Sequence, residues 1–116
     1  MSTEPEQSPA IAEIMRVYEA VPEFERIRRT VLMGDLWEQS ELPPRERSLV
    51  TCALLAASNR RDELESHVAK AIGNGVTPDE LRGLIVHLAF YAGWPSGLLL
   101  GRAALPYLEG SPPQQS

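Results

Sequence analysis

Residues 77–95 read TPDELRGLIVHLAFYAGWP, and the punctuation of this stretch decides the fold. Thr77 is placed to cap a helix, Pro78 suits its first turn, and Glu80 follows the cap by three residues, the pattern of a capping box. From that start Leu81, Leu84, Ile85, Leu88 and Ala92 fall on one helical stripe, whereas Gly83, His87, Phe90, Tyr91 and Trp94 fall on a second. Gly93 closes the run. Pro95 then opens a further helix to around Leu108, with Pro106 as a late bend or stop.

The flanking sequence carries the same kind of signal. Upstream, DELESHVAKAIGNG (62–75) turns Leu64, Val68, Ala71 and Ile72 inward and closes on Asn74-Gly75 in a left-handed cap. PPRERSLVTCALLAA (43–57) starts at paired prolines and has no polar face in its middle, which predicts a helix buried on most sides. Pro22 opens a helix in which Phe24, Ile27, Val31 and Leu32 recur at helical spacing; it ends near Gly34, just before Trp37. Ser8 and Pro9 start a shorter one with Ile11, Ile14, Met15 and Tyr18 on one stripe. No period-two strand with hairpin turns occurs anywhere. The expectation is an all-α bundle of about six helices, one domain over residues 9–109, between flexible polar tails at 1–8 and 110–116.

Composition excludes several functions. A chain of 116 residues with net charge -5 and basic residues interspersed with acidic ones is a poor partner for nucleic acid. The single Cys52 forms no internal disulfide, and MSTEPEQSPA lacks the basic start and apolar run of a signal peptide, so a cytoplasmic location is expected. The apolar run from Leu84 to Leu100 is interrupted by His87, Gly93, Pro95 and Ser96 and has no basic flank, so no membrane span is expected. Two helices that are apolar on nearly every side need more cover than four short neighbours provide, which predicts a homo-oligomer.

Three groups of residues carry possible chemistry. His87 and Tyr91 are neighbours on the second stripe, with Gly83 leaving room one turn earlier; a core histidine bonded to Tyr91 or to a carbonyl would read the same way. His67 lies between Glu63 and Lys70, as on any solvated helix face, although Glu63, His67 and His87 would also be a metal-ligand set. Arg45 and Arg47 occupy a first helical turn, where the macrodipole disfavours cations; either Glu46 and Glu41 compensate or an anion such as a carboxylate binds there. Cys52, mid-helix among Leu and Ala, reads as an inert core thiol. No nucleophile elbow or phosphate-binding glycine loop is present.

The succession from Leu36 to Pro95, and within it RSLVT, DELESHVAKAIGNGVTPDEL and HLAFYAGWP, resembles the carboxymuconolactone decarboxylase family over roughly residues 24–105. The resemblance implies an all-helical subunit in rings, trimers or hexamers built as trimers of dimers, with active sites near subunit contacts. One branch of the family carries Cys-x-x-Cys-x-x-x-His. Aligned on His67, its thiol positions hold Arg60 and Glu63 here, and Ser48 stands where that branch has a glutamate, so dithiol exchange is excluded. Similarity to the decarboxylase branch implies conversion of 4-carboxymuconolactone to 3-oxoadipate enol-lactone without a cofactor; no metal is expected, because the Glu63, His67 and His87 spacing is too common to be specific. The resemblance raises His67 and His87 as catalytic groups, one of which would stabilise the dienolate and deliver the proton; the chemistry of that reaction then leads us to expect Arg45 and Arg47 as carboxylate anchors, Tyr91 orienting His87, and Trp37, Phe90 and Trp94 as a dry wall. Another small lactone or keto acid as substrate, or a non-catalytic oligomeric scaffold, remain the alternatives.

Overall fold

A computed structural model describes residues 9–111; the tail expected at 1–8 and residues 112–116 of the tail expected at 110–116 lie outside the described residues, while Gly110 and Ser111 follow directly on the last helix. The elements are α1 (Pro9–Ala20), α2 (Pro22–Ile27), a π-helical continuation (Arg28–Met33), a 3-10 turn (Leu36–Glu38), α3 (Pro44–Ala57), α4 (Arg61–Gly73), α5 (Pro78–Tyr91) and α6 (Trp94–Glu109). Among the described residues there is no strand, and the fold is all-α. No described helix is long and apolar enough to cross a membrane. The chain divides after Glu41 into two compact units.

In the first unit Pro22 starts α2, and the helix widens into π geometry before Gly34. A Cβ at Gly34 would come within 2.8 Å of the Arg29 carbonyl oxygen, so this exit needs glycine for its close approach. Tyr18 packs on Phe24 with ring centroids 5.4 Å apart, and the Arg28 guanidinium sits 4.9 Å over the Tyr18 ring. Glu25 holds Arg28 with two 2.8 Å hydrogen bonds. No residue of these elements is buried; Phe24, Ile27, Val31 and Leu32 keep the predicted spacing but stay exposed. Two short helices have no opposing layer within their own unit, so the stripe forms without becoming a core.

The second unit has a core. Leu64, Val68 and Ala71 of α4 meet Cys52 and Ala56 of α3, Leu81 and Leu88 of α5, and Leu100 and Ala104 of α6. Each fully buried leucine contributes about 1.5–3 kcal/mol over its exposed state. The connections follow from local chemistry. Asn59 takes a left-handed conformation (φ 58°) in the α3–α4 turn, Gly75 does so (φ 98°) after α4, and Gly93 (φ 113°) resets the chain before α6. The capping box of α5 is formed on both sides: Glu80 N–H donates to Thr77 Oγ1 at 3.1 Å, and Thr77 N–H donates to Glu80 Oε1 at 3.0 Å. Helix α6 packs on each of the other three, and it approaches α5 closely because Gly97 is buried against Ala89 and Ile85.

Two expectations change. Helix α3 is not enclosed within the chain: Ser48, Cys52 and Ala56 are buried, whereas Val50 and Leu54 face outward, Leu54 at 62% exposure. Its partners cover one side only. Pro106 does not stop α6, which continues to Glu109. So near the end the missing N–H forfeits a single bond, and the three residues that follow keep helical geometry.

Candidate functional site

The first turn of α3 starts at Pro44, whose missing N–H is no loss at that position. It presents Arg45 and Arg47 differently. Arg45 is engaged by two carboxylates: its Nη1 donates to Glu46 Oε1 at 2.7 Å, and its Nη2 pairs with Glu80 of α5. Glu80 therefore serves α5 twice, through the cap with one oxygen and as the ion-pair partner of α3 with the other. Of the two candidates for compensation in sequence, Glu46 takes part, but the second partner is Glu80 and not Glu41. A capping box signals one oxygen of its glutamate; only the packing of α5 beside α3 showed where the other goes.

Arg47 is different. Its Nε is buried and has no hydrogen-bond partner. Its carbonyl accepts from the Thr51 hydroxyl at 2.7 Å. The adjacent Ser48 is 1% exposed, and its hydroxyl oxygen accepts from Asn74 Nδ2 at 2.9 Å. That bond ties the start of α3 to the end of α4 and makes the two helices antiparallel neighbours.

His67 lies on α4 beside the core residues Leu64, Val68 and Ala71. Its Nδ1 is buried without a partner. Burial pushes the imidazole below the ordinary histidine range, and Lys70 adds to this while Glu63 opposes it. The neutral form therefore dominates at pH 7. Counting back from the Asn74–Ser48 bond, His67 is roughly two turns, ~10 Å along α4, from the level of Arg47. The two buried nitrogens that lack partners among the described residues belong to Arg47 and His67.

His87 is exposed on α5 and stacked on Tyr91, with ring centroids 4.4 Å apart and an interplanar angle of 21°. The two share a face, as the spacing predicts, but they meet ring to ring. Tyr91 is 81% exposed and Phe90 78%. Phe90 and Trp94 line an apolar groove of about 590 Å3 between α5 and α6, together with Val86, Leu98 and Leu105. Neither that groove nor a second hollow of about 500 Å3 is lined by His67, His87, Arg45 or Arg47. Trp37 sits half-buried in the 3-10 turn of the first unit. Among the described residues no three His, Cys, Asp or Glu side chains gather as a metal site, so Glu63, His67 and His87 do not converge as ligands within the chain.

Cys52 is fully buried, and desolvation pushes its thiol up to about 11, which makes it inert at neutral pH. Residues 59, 96 and 102, which line the second hollow, carried no sequence motif. One cue was present: Arg102 is the lone charge between Trp94 and Leu108.

Arginine and imidazole nitrogens on adjacent helices, with Cys52 the single cysteine, are what this small helical domain presents. The profile of the Carboxymuconolactone decarboxylase family matches residues 22–105, and the chain belongs to that family. It is 43% identical over 74 residues to a protein named 4-carboxymuconolactone decarboxylase from Acinetobacter baylyi, a match covering 64% of this chain and 55% of that protein. It is 40% identical over 63 residues to one named nitrosuccinic acid decarboxylase from Metarhizium robertsii, covering 54% and 44%. The chain spans about half the length of the curated relatives it matches.

Proposed function

We propose that this protein is a cofactor-independent decarboxylase of small dicarboxylic acids, with 4-carboxymuconolactone as substrate and 3-oxoadipate enol-lactone as product. The observation that carries this reading is the pair of unpartnered buried nitrogens, Arg47 Nε and His67 Nδ1, on the adjacent helices α3 and α4. A buried donor without an acceptor costs about 1–3 kcal/mol, and a bound carboxylate relieves that penalty. Both relatives are named for decarboxylation of an acid, which supports the reaction class.

The chemistry fits these groups. The bond from the ring carbon to its carboxylate breaks, carbon dioxide leaves, and the electron pair spreads over a dienolate that reaches the lactone carbonyl oxygen. Arg47 anchors a carboxylate. His67 donates a hydrogen bond towards the developing oxyanion, an interaction that is typically worth about 3–4 kcal/mol when preorganised. The reaction consumes one proton. Substrate charge beside His67 favours its protonated form, so that proton reaches the ring carbon through the imidazole. Arg45, held by Glu46 and Glu80, keeps α3 and α5 in register, and its charge is already compensated by those two carboxylates.

His87, Tyr91, Phe90, Trp94 and Trp37 enter this reading through assembly. Val86 and Phe90 of α5 and Trp94 of α6 line one exposed apolar groove, and Val50 and Leu54 of α3 are exposed apolar residues as well, features suited to subunit contact in a trimer or hexamer. A second subunit seated there would dry the His87–Tyr91 stack and bring it to a shared site. The location proposed is the cytoplasm.

The test is turnover. Purified protein is incubated with enzymatically made 4-carboxymuconolactone and its ultraviolet absorbance is followed, with His67→Gln, His87→Gln and Arg47→Gln compared. Loss of activity in His67→Gln and a raised KM in Arg47→Gln are expected. An inert wild type rejects the substrate, and variants that match an active wild type reject the residue roles.

A further inference from the structure

We propose that the hollow between the α3–α4 turn and the start of α6 is a binding site for a small carboxylate with an apolar body, its charged end held by Arg102. The hollow measures about 500 Å3, and its lining includes Ala56, Asn59, Pro95, Ser96, Leu99 and Arg102. It is separate from the Arg47–His67 seam, none of whose residues line it, so the inference does not depend on the decarboxylase reading.

Three polar side chains from two places in the chain line this hollow, and Asn59 and Arg102 are exposed. Among the described residues the Asn59 amide, the Ser96 hydroxyl and the Arg102 guanidinium have no hydrogen-bond or ionic partner in the protein. Arg45 is paired with Glu46 and Glu80, and Arg82 with Asp79, whereas Arg102 of α6, like Arg47, Arg60 and Arg61, has no acidic partner among the described residues. Arg102 is therefore an uncompensated cation facing a hollow in a protein of net charge -5.

Asn59 adds a second observation. Its φ of 58° lies in the left-handed region, which disfavours most side chains and which glycine adopts freely. After glycine, asparagine is among the residues that adopt this region most readily. What asparagine supplies is an amide at the rim of the hollow.

The lining selects the ligand class. One guanidinium matches one carboxylate through two parallel N–H···O bonds. Asn59 and Ser96 can donate further hydrogen bonds, and Ala56, Pro95 and Leu99 give an apolar wall for an aliphatic or aromatic body. Inorganic phosphate, with nearly two charges at neutral pH and no apolar part, is matched less well.

Calorimetric titration of the full chain with hexanoate, with 1-hexanol as the neutral control and inorganic phosphate as the rival anion, tests the site. Saturable binding of hexanoate about tenfold or more tighter than hexanol, and not displaced by equimolar phosphate, is expected. Arg102→Gln should weaken it about tenfold or more. Asn59→Gly should weaken it while the melting temperature changes little, because glycine adopts the same left-handed turn and only the amide is lost. Arg47→Gln should leave it unchanged. Absence of saturable hexanoate binding, or binding indifferent to Arg102→Gln, overturns the proposal. So does binding abolished by Arg47→Gln, which moves the carboxylate to the seam. An Arg102→Gln variant that alters the oligomeric state and not the affinity assigns the hollow to a subunit contact and equally overturns it.

Discussion

Asn74 Nδ2 donates to Ser48 Oγ across 2.9 Å, joining the residue that ends α4 to the residue beside Arg47. The two ends of this bond differ in exposure, since Ser48 is buried and Asn74 is exposed. Removing either partner therefore has unequal consequences. Asn74→Ala leaves a buried hydroxyl without its donor and should destabilise by about 1–3 kcal/mol, whereas Ser48→Ala frees an amide that water can reach and should cost about 0.5–1.5 kcal/mol. Urea unfolding of both single variants and the double variant checks this. Additive effects would show that the two residues do not act as a pair.

His67 makes stability depend on pH in a fixed direction. Its folded-state value lies below the ordinary one because of burial and Lys70. The unfolded chain then binds the proton more readily. Stability from this residue is complete above the ordinary histidine value and is lost as pH falls from there through the folded value. The melting temperature should drop between about pH 7 and pH 5.5 more steeply in the wild type than in His67→Gln. Equal slopes would show that this imidazole is not held neutral by the fold.

Arg47→Lys keeps the charge and removes Nε. If Nε is the donor for a carboxylate, KM should rise about tenfold with kcat changed less, as expected for lost ground-state anchoring. Arg45→Lys, at a side chain already paired with Glu46 and Glu80, should change KM by less than about threefold. Steady-state kinetics of the two variants separates the roles, and equal effects would reject them.

Two glycines of α6 predict opposite signs. A Cβ at Gly97 would meet the Ala89 Cβ at 2.9 Å and the Ile85 carbonyl oxygen at 3.1 Å, while one at Gly101 meets only Ile85 Cδ1, at 3.9 Å. Gly97→Ala should destabilise by about 1–3 kcal/mol through overpacking of α5 on α6. Gly101→Ala should stabilise by up to about 1 kcal/mol, the helix-propensity gain. Thermal unfolding of each variant decides, and a stabilised Gly97→Ala would contradict the close approach of these helices.

Leu64 and Leu54 separate core from assembly. Leu64 is fully buried, and Leu64→Ala should cost about 2–5 kcal/mol. Leu54 faces outward, so Leu54→Ser should change the stability of an isolated subunit by less than about 0.5 kcal/mol yet shift an oligomer towards smaller species. Sedimentation analysis reads the second effect. An unchanged oligomer would remove this face of α3 from the contact.

Sequence alone determined the local structure of this protein. The capping box at Thr77 and Glu80, the prolines at 22, 44, 78 and 95, and the left-handed stop at Gly75 act within a few residues of themselves, so helix starts and stops could be read without knowing what packs on what. The candidate site was legible as residue types. Arginines in a first turn, and histidines beside a core stripe, were marked because they stood against local preference.

Only the tertiary structure decided which of those groups are already answered. Arg45 meets Glu80 from a helix more than thirty residues on, Ser48 meets Asn74, and His87 meets the ring of Tyr91, while Arg47 Nε and His67 Nδ1 are buried without a hydrogen-bond partner among the described residues. Periodicity gives the face a residue occupies, but not whether a neighbour covers it. That is why α3, apolar on nearly all sides in sequence, leaves Val50 and Leu54 uncovered in the chain. Burial and charge pairing depend on contacts between residues distant in sequence, and these exist only once the helices have packed.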